Sequence, residues 1–381
     1  MPADLFAASP IDPLLRNTNA KWLGLRERVL DLISKAEANP HINLDKERDA
    51  LLCEIARFQS QTLPPFSQLC SARKASFSSP RNWPALPTDA FKYARISVFK
   101  PGHDVITFAT SGTSTGAPGL HPRVELEPYH RGSLLGARIS LLPDGPFDLL
   151  LLAPHPSTHP NSSLAFMLAL IEEEAKKRDQ TACSTIAMIE NRVCSRSIAQ
   201  AIAKAHARNR PIIICGTAFA FAWADELLDS DFELPPRSMV MITGGFKGHR
   251  ISIDEIELRH RISTRFTIPI HHVRGEYGMT ELSSPLWEFG EEAGVYWVPP
   301  WLRVTATHPQ TMEELPEGEA GILRFDDPSN LDSCVSIQSA DLGMVYRHPS
   351  GSMRLRFLGR MPHAEARGCS LLLEEALLSS R

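Results

Sequence analysis

Between residues 105 and 282, short apolar runs alternate with longer amphipathic stretches. Val105–Phe108, Asp148–Leu152, Pro211–Ile214, Met239–Ile242 and Ile270–Val273 have strand length. Leu164–Lys177, Ser197–Arg208 and Asp254–Arg265 lie between them and repeat apolar residues at helical spacing. This alternation predicts an α/β fold, a mainly parallel sheet with flanking helices. Upstream, Trp22, Leu25, Val29, Leu30, Leu32 and Ile33 recur at helical spacing, as do Leu51, Leu52, Ile55 and Phe58, so residues 1–100 read as helical and then proline-broken. Beyond residue 290 the period changes. Gly294–Trp297, Trp301–Thr305, Gly321–Phe325 and Arg354–Leu358 predict a smaller antiparallel β region, and Ser370–Leu378 a last short helix.

Each predicted strand of the first region runs into a polar or glycine-bearing loop: TSGTSTG, APHPSTHP, CGT, TGGFKG and RGEYGMTE. Ligands of open α/β sheets sit beyond the carboxyl ends of the strands, so these loops are expected to converge on one site.

Composition narrows the function classes. The chain has 381 residues, 43% hydrophobic and 22% charged, the balance of an ordinary soluble protein. A net charge of −4 with no long basic run gives no support to a nucleic-acid partner. No apolar run is long enough to span a bilayer as a helix, and the first residues lack a basic leader followed by an apolar core. Seven cysteines, scattered and without CxxC, suit a reducing compartment, so a cytoplasmic location is expected.

Five segments carry candidate chemistry. Thr110, Ser111, Gly112, Thr113, Ser114, Thr115 and Gly116 combine hydroxyls with glycines that let backbone N–H groups approach a phosphate. No Gly-Lys-Ser/Thr ends the run, so it is not a Walker A loop, and a Ser/Thr-rich turn explains it equally well. In Gly244, Gly245, Phe246 and Lys247 the glycines admit a ligand, and the lysine is placed to reach phosphate; a strand-to-helix turn is the plain alternative. In GEYGMTE, Tyr277 offers a ring for a base, Gly278 a flexible link, Thr280 a hydroxyl for phosphate and Glu281 a carboxylate for Mg2+. A capped helix start competes with that reading. Asp341, in a tight SADLG loop, and Arg360 suit ribose and phosphate oxygens, or an Asx-turn and a solvated charge. Cys369 lies between Gly368 and Ser370 with Arg367 nearby, a setting that favours thiolate, although its apolar neighbours also suit a buried cysteine.

The order of these segments resembles that of the adenylate-forming enzymes, from about residue 90 to the end. Within that superfamily the chain is similar to the acyl-protein synthetases of bacterial bioluminescence, the fatty-acid-activating subunits of fatty acid reductase complexes. The likeness rests on GGFKG and on the ending GRMPHAEARGCSL. It implies an N-terminal-domain-like adenylate-forming fold over residues 1–357 without the usual full C-terminal domain, and a tail, 358–381, bearing an acyl-accepting cysteine. It also implies that residues 110–116 cradle ATP phosphates with Gly244 and Gly245 nearby, that Tyr277 lies against adenine, that Thr280 contacts the α-phosphate, and that Glu281 ligates Mg2+. Asp341 would bind ribose, Arg360 would sit at a mobile junction, and Cys369 would take the acyl group for an acyl reductase or another acceptor protein. Two departures stand out. The superfamily's lysine after the phosphate loop is missing, Arg123 being the first cation there, and the catalytic lysine of the full C-terminal domain has no counterpart, so Lys247 or a partner would supply that charge. Two alternatives accompany this expectation: a ligase passing the acyl group to coenzyme A or a carrier protein, and a non-catalytic nucleotide-binding scaffold.

Overall fold

A computed structural model describes residues 20–110, 117–190, 192–244, 253–290 and 292–361. In chain order its strands begin with β1 (Leu86–Pro87), β2 (Ile106–Ala109), β3 (Leu120–Arg123), β4 (Asp148–Leu152), β5 (Ser184–Ile186), β6 (Met188–Ile189), β7 (Arg192–Val193) and β8 (Ile212–Thr217). They continue with β9 (Met239–Thr243), β10 (Val273–Tyr277), β11 (Leu286–Glu288), β12 (Val295–Trp297), β13 (Arg303–Thr307), β14 (Ala320–Asp326), β15 (Ser336–Arg347) and β16 (Met353–Arg360). The chain divides into two compact units.

The first unit comprises Ser133–Gly278 and Pro285–Ala293. Its sheet runs β11-β10-β9-β8-β4-β5. β4, β5, β8, β9 and β10 pair in parallel, and β11 is antiparallel to β10. Parallel strands covered on both faces are continuous apolar runs, and β4 is buried along its whole length. A helix follows each of four parallel strands: Ser163–Arg178, Ser195–Ala207, Ala218–Leu227 and Glu255–Arg265. Hydroxyl and carboxylate caps start three of them. Ala165 N donates to Ser162 Oγ at 3.2 Å, Ala220 N to Thr217 Oγ1 at 3.2 Å, and Ile256 N to Asp254 Oδ1 at 2.9 Å. Leu150, Ile214, Val240 and Ile242 pack with Phe221, Leu258 and Ile262 into the core.

The second unit takes residues 20–132, Met279–Ser284 and 294–361. Its sheet is antiparallel in the order β13-β14-β15-β16-β12, with β1 added in parallel beside β15. A separate ribbon pairs β2 with β3 antiparallel. Helices Ala20–Ala38, Asp45–Thr62 and Pro64–Ala72 bury Trp22, Val29, Ile33, Leu52, Ile55 and Phe66, at the spacing read from the chain.

Three expectations are corrected. The apolar run Val105–Phe108 does not join the parallel sheet; β2 pairs with β3, because residues 117–123 return beside it. Ile270–Val273 is not a strand: Pro269 opens a short 3-10 turn at Ile270–His272, and the strand begins at Val273. His271 and His272 lie in that turn, and His272 Nδ1 pairs with Ser238 O at 3.1 Å. Asp341 is not in a tight loop but within β15, paired with Arg360 of β16. The Ser370–Leu378 prediction lies outside the described residues.

Candidate functional site

Two sets of site residues fall on the two units. In the first unit they gather at the carboxyl ends of β9 and β10, where an open parallel sheet leaves room for ligands. Thr243 and Glu276 are register partners on these strands, and the Thr243 hydroxyl donates to Glu276 Oε2. Burial pushes the Glu276 carboxyl up to about 7, opposed in part by that hydrogen bond. Tyr277 is nearly buried beside it. A Cβ at Gly278 would come within 2.5 Å of Glu276 Oε1, so a side chain there would displace the Glu276 carboxylate. Gly244 follows β9 at φ +66° with open space before its Cα, a conformation that glycine adopts without strain. Gly245, Phe246 and Lys247 lie outside the described residues.

In the second unit, the base of the TSGTSTG loop is closed by Thr110 and Gly119. Thr110 N donates to Gly119 O at 2.9 Å, and Gly119 N to Thr110 Oγ1 at 2.8 Å. Thr110 thus holds Gly119 beside it, leaving its hydroxyl proton to donate. Ser111, Gly112, Thr113, Ser114, Thr115 and Gly116 lie outside the described residues. Arg123, the first cation after the loop, is 1% exposed and committed to Asp332, with Nε 3.1 Å from Oδ1. It anchors the interior and does not replace the missing lysine.

Thr280 and Glu281 sit in an irregular segment, and no helix starts there. Glu281 is 7% exposed, with its carbonyl accepting from Asn330 Nδ2 at 2.9 Å; the Thr280 carbonyl meets His121 Nδ1 at 2.6 Å. Asp341 and Arg360 are held together across β15 and β16, with Arg360 Nε 3.8 Å from Asp341 Oδ1 and the arginine half exposed. Cys369 lies outside the described residues. Cys53, Cys70, Cys183, Cys194, Cys215 and Cys334 are free thiols. Of the apolar residues suited to an acyl pocket, Phe166 and Phe221 are fully buried and Phe219 and Trp223 partly buried.

Sequence reasoning passed over Glu276, His121, Gln59 and Asn330. A carboxylate directly before Tyr277 in an otherwise strand-like run was a signal for the first. No alternation marks the second, because residues 121–126 are all buried and β3 ends at Arg123. Nothing local distinguishes Gln59 or Asn330.

Among the described residues no three His, Cys, Asp or Glu side chains group to hold a metal. An Mg2+ ion held by one carboxylate, the role expected of Glu281, would take most of its ligands from phosphate and water.

The model of the family "Acyl-protein synthetase, LuxE" matches residues 173–378, more than half of the chain. The chain belongs to the acyl-protein synthetase family. It is similar to the long-chain-fatty-acid–luciferin-component ligase of Vibrio harveyi, 27% identical over 146 residues, and to that of Aliivibrio fischeri, 24% identical over 153 residues. These matches cover 37% and 39% of this chain and 38% and 40% of the relatives' lengths. A solved 2-hydroxyisobutyryl-CoA ligase, in complex with 2-HIB-AMP and CoA, superposes with a TM-score of 0.60 at 13% identity, over 84% of this chain and 76% of that one. The fold is that of the adenylate-forming enzymes, as expected from the order of the loops.

Proposed function

We propose that the protein activates a carboxylic acid, a long-chain fatty acid in first place, with Mg·ATP and then carries the acyl group on Cys369. The observation that carries this reading is the family match, which spans Gly244, Tyr277, Thr280, Glu281, Asp341, Arg360 and Cys369 in one stretch.

In the first step a carboxylate oxygen attacks the α-phosphorus of ATP, and the bond to the pyrophosphate oxygen breaks. Acyl-adenylate and pyrophosphate result. Thr280 is suited to donate its hydroxyl to the α-phosphate, residues 110–116 to hold the outer phosphates, and Lys247 to offset the charge of the transition state. Mg2+ held by Glu281 would neutralise phosphate charge. Tyr277 and Gly278 would border the adenine, and Asp341 would accept the ribose hydroxyls with Arg360 beside it. In the second step the Cys369 thiolate attacks the acyl carbonyl carbon, AMP leaves with its bonding pair, and the thiol proton passes to solvent. The thioester would then pass to a partner acyl reductase. Residues 1–357 would form the adenylating domain and 358–381 the acyl-bearing tail.

Acid-dependent ATP–pyrophosphate exchange across acids of increasing chain length tests the first step; absence of exchange with every acid would leave a nucleotide-binding scaffold. Mass spectrometry of the intact chain after incubation with ATP and the preferred acid tests the second. An acyl adduct lost in Cys369→Ser is expected. Equal thioester yield on added coenzyme A from the wild type and Cys369→Ala would favour transfer to a soluble thiol instead.

A further inference from the structure

Met279–Ser284 has no regular secondary structure, yet it carries Thr280 and Glu281. Leu282 N donates to Met279 O at 3.1 Å, a bond that does not fix the two carbonyls between. Those consecutive carbonyls are gripped by buried side chains from distant parts of the same unit. A carbonyl only accepts, so His121 Nδ1 carries the proton in its 2.6 Å bond to Thr280 O. Burial lowers the His121 pKa to about 3, which keeps the ring neutral. Phe91 stands edge-on against it at 5.3 Å between ring centroids.

The next carbonyl, of Glu281, accepts from Asn330 Nδ2 at 2.9 Å, and the same amide reaches Cys334 O at 3.1 Å. Asn330 Oδ1 accepts the Ser283 hydroxyl, which ties the amide to the same segment a second time. Asn330 is itself fixed by Gln59, fully buried on the helix Asp45–Thr62. Gln59 Nε2 donates to Asn330 O at 3.0 Å and to Leu331 O at 3.2 Å, and Gln59 Oε1 accepts from Val335 N at 2.7 Å.

We propose that His121 and Asn330, the latter locked by Gln59, are positioning residues that set the main chain of Thr280 and Glu281 for a Mg-nucleotide. The proposal rests on the reading of Glu281 as the Mg2+ ligand. Orienting two successive peptide planes fixes the direction in which the intervening side chain leaves the backbone. Loss of either grip strands a buried carbonyl and lets the plane rotate. Because β3 follows the TSGTSTG loop directly, His121 also ties that loop's ribbon to Thr280.

Calorimetric binding of ATP to the full chain at stepped MgCl2, with melting temperature measured in parallel, tests the proposal. His121→Phe keeps the ring and loses the donor. His121→Asn places an amide nitrogen near the position of Nδ1. Asn330→Asp keeps the acceptor for Ser283 and loses the donor to Glu281. His121→Phe and Asn330→Asp are expected to raise the Mg2+ concentration for half-maximal ATP binding about five- to tenfold, the loss of one buried hydrogen bond. His121→Asn should stay within about twofold of the wild type. A core variant of the first unit, Ile214→Ala, with an equal or larger loss of melting temperature, should leave the Mg2+ requirement unchanged. A folded His121→Phe with wild-type Mg2+ dependence would overturn the proposal. If His121→Phe does not fold, His121→Asn against His121→Gln carries the same contrast, since glutamine places its amide nitrogen near Nε2; equal Mg2+ dependence in those two would also overturn it. Glu281→Gln separates the premise. No shift there removes the Mg2+ reading and this inference with it, whereas a shift there with none in the clamp variants sinks the clamp alone.

Discussion

The two units position functional groups by opposite means. In the first, β8 and β9 are packed by apolar side chains, with buried polar pairs set among them, Thr243–Glu276 at the strand ends and Arg259–Glu288 beside β10. In the second, Asp326–Ser336 is a polar stretch with almost no exposed surface, and its hydrogen bonds hold Met279–Ser284. Apolar packing is distributed, so it tolerates small losses of volume. A buried polar network has few members, each with assigned partners, and one loss leaves others unsatisfied.

The sharpest way to break the contrast is Arg123→Leu. Arg123 Nε faces Asp332, its Nη1 donates to the Ser283 hydroxyl, and its Nη2 donates to Ser329 O and Glu125 O at 3.1 Å each. Removal leaves Asp332 buried without its cation and is expected to cost about 3–5 kcal/mol. Ile214→Val in the first unit should cost only about 0.5–1.5 kcal/mol. Urea unfolding of both variants checks the pair, and equal losses would mean that the polar stretch is no more brittle than the apolar core.

A smaller effect concerns the Thr243–Glu276 pair of the first unit. The folded Glu276 pKa is raised from 4.5 to about 7, so the folded chain binds this proton more tightly than the unfolded chain. The stability contributed by the neutral carboxyl is complete below about 4.5 and is lost as the pH rises through about 7. Within that window the slope from this group approaches about −1.4 kcal/mol per pH unit. Glu276→Gln should remove the slope while keeping the hydrogen bond with Thr243. Stability curves of wild type and variant that run parallel between pH 5 and pH 7, each about one unit apart in measurement, would show that the carboxyl is solvated rather than buried.

What the chain disclosed beforehand follows the same division. β4 and β9 were legible because strands covered on both faces are continuous apolar runs, and the helices after β4 and β9 were legible from their period and their capping residues. The longest strand, β15, was not. Its SIQSADLG lacks an apolar run, and it is a strand because β14 and β16 pair along it, a tertiary cause. Asp341 was misplaced into a loop for the same reason. In β10 the apolar Ile270 sits in a 3-10 turn, whereas Arg274, Gly275 and Glu276 form the strand, since a hydroxyl across the register partners the buried carboxyl. At the site, the residue types in GEYGMTE were readable, but the partners that hold them were not: His121 lies 159 residues from Thr280, Asn330 lies 49 from Glu281, and Gln59 lies 271 from the Asn330 it holds.

The smallest stability effect, and the finest test of the comparison, is at Asp341 and Arg360. This pair belongs to the second unit but stands outside its buried network, with Arg360 46% exposed and the charges 3.8 Å apart. An exposed pair of this kind contributes under about 1 kcal/mol, so Arg360→Ala should leave urea stability almost unchanged. If Asp341 and Arg360 serve ribose and phosphate, the same variant should weaken ATP binding about tenfold, since a charge-assisted contact to a ligand contributes about 1.5–3 kcal/mol. Calorimetric ATP titration of Arg360→Ala and Asp341→Asn reads the difference. Weakened binding at unchanged stability would separate ligand contact from scaffold within one unit; unchanged binding in both variants would return the pair to the surface of the sheet.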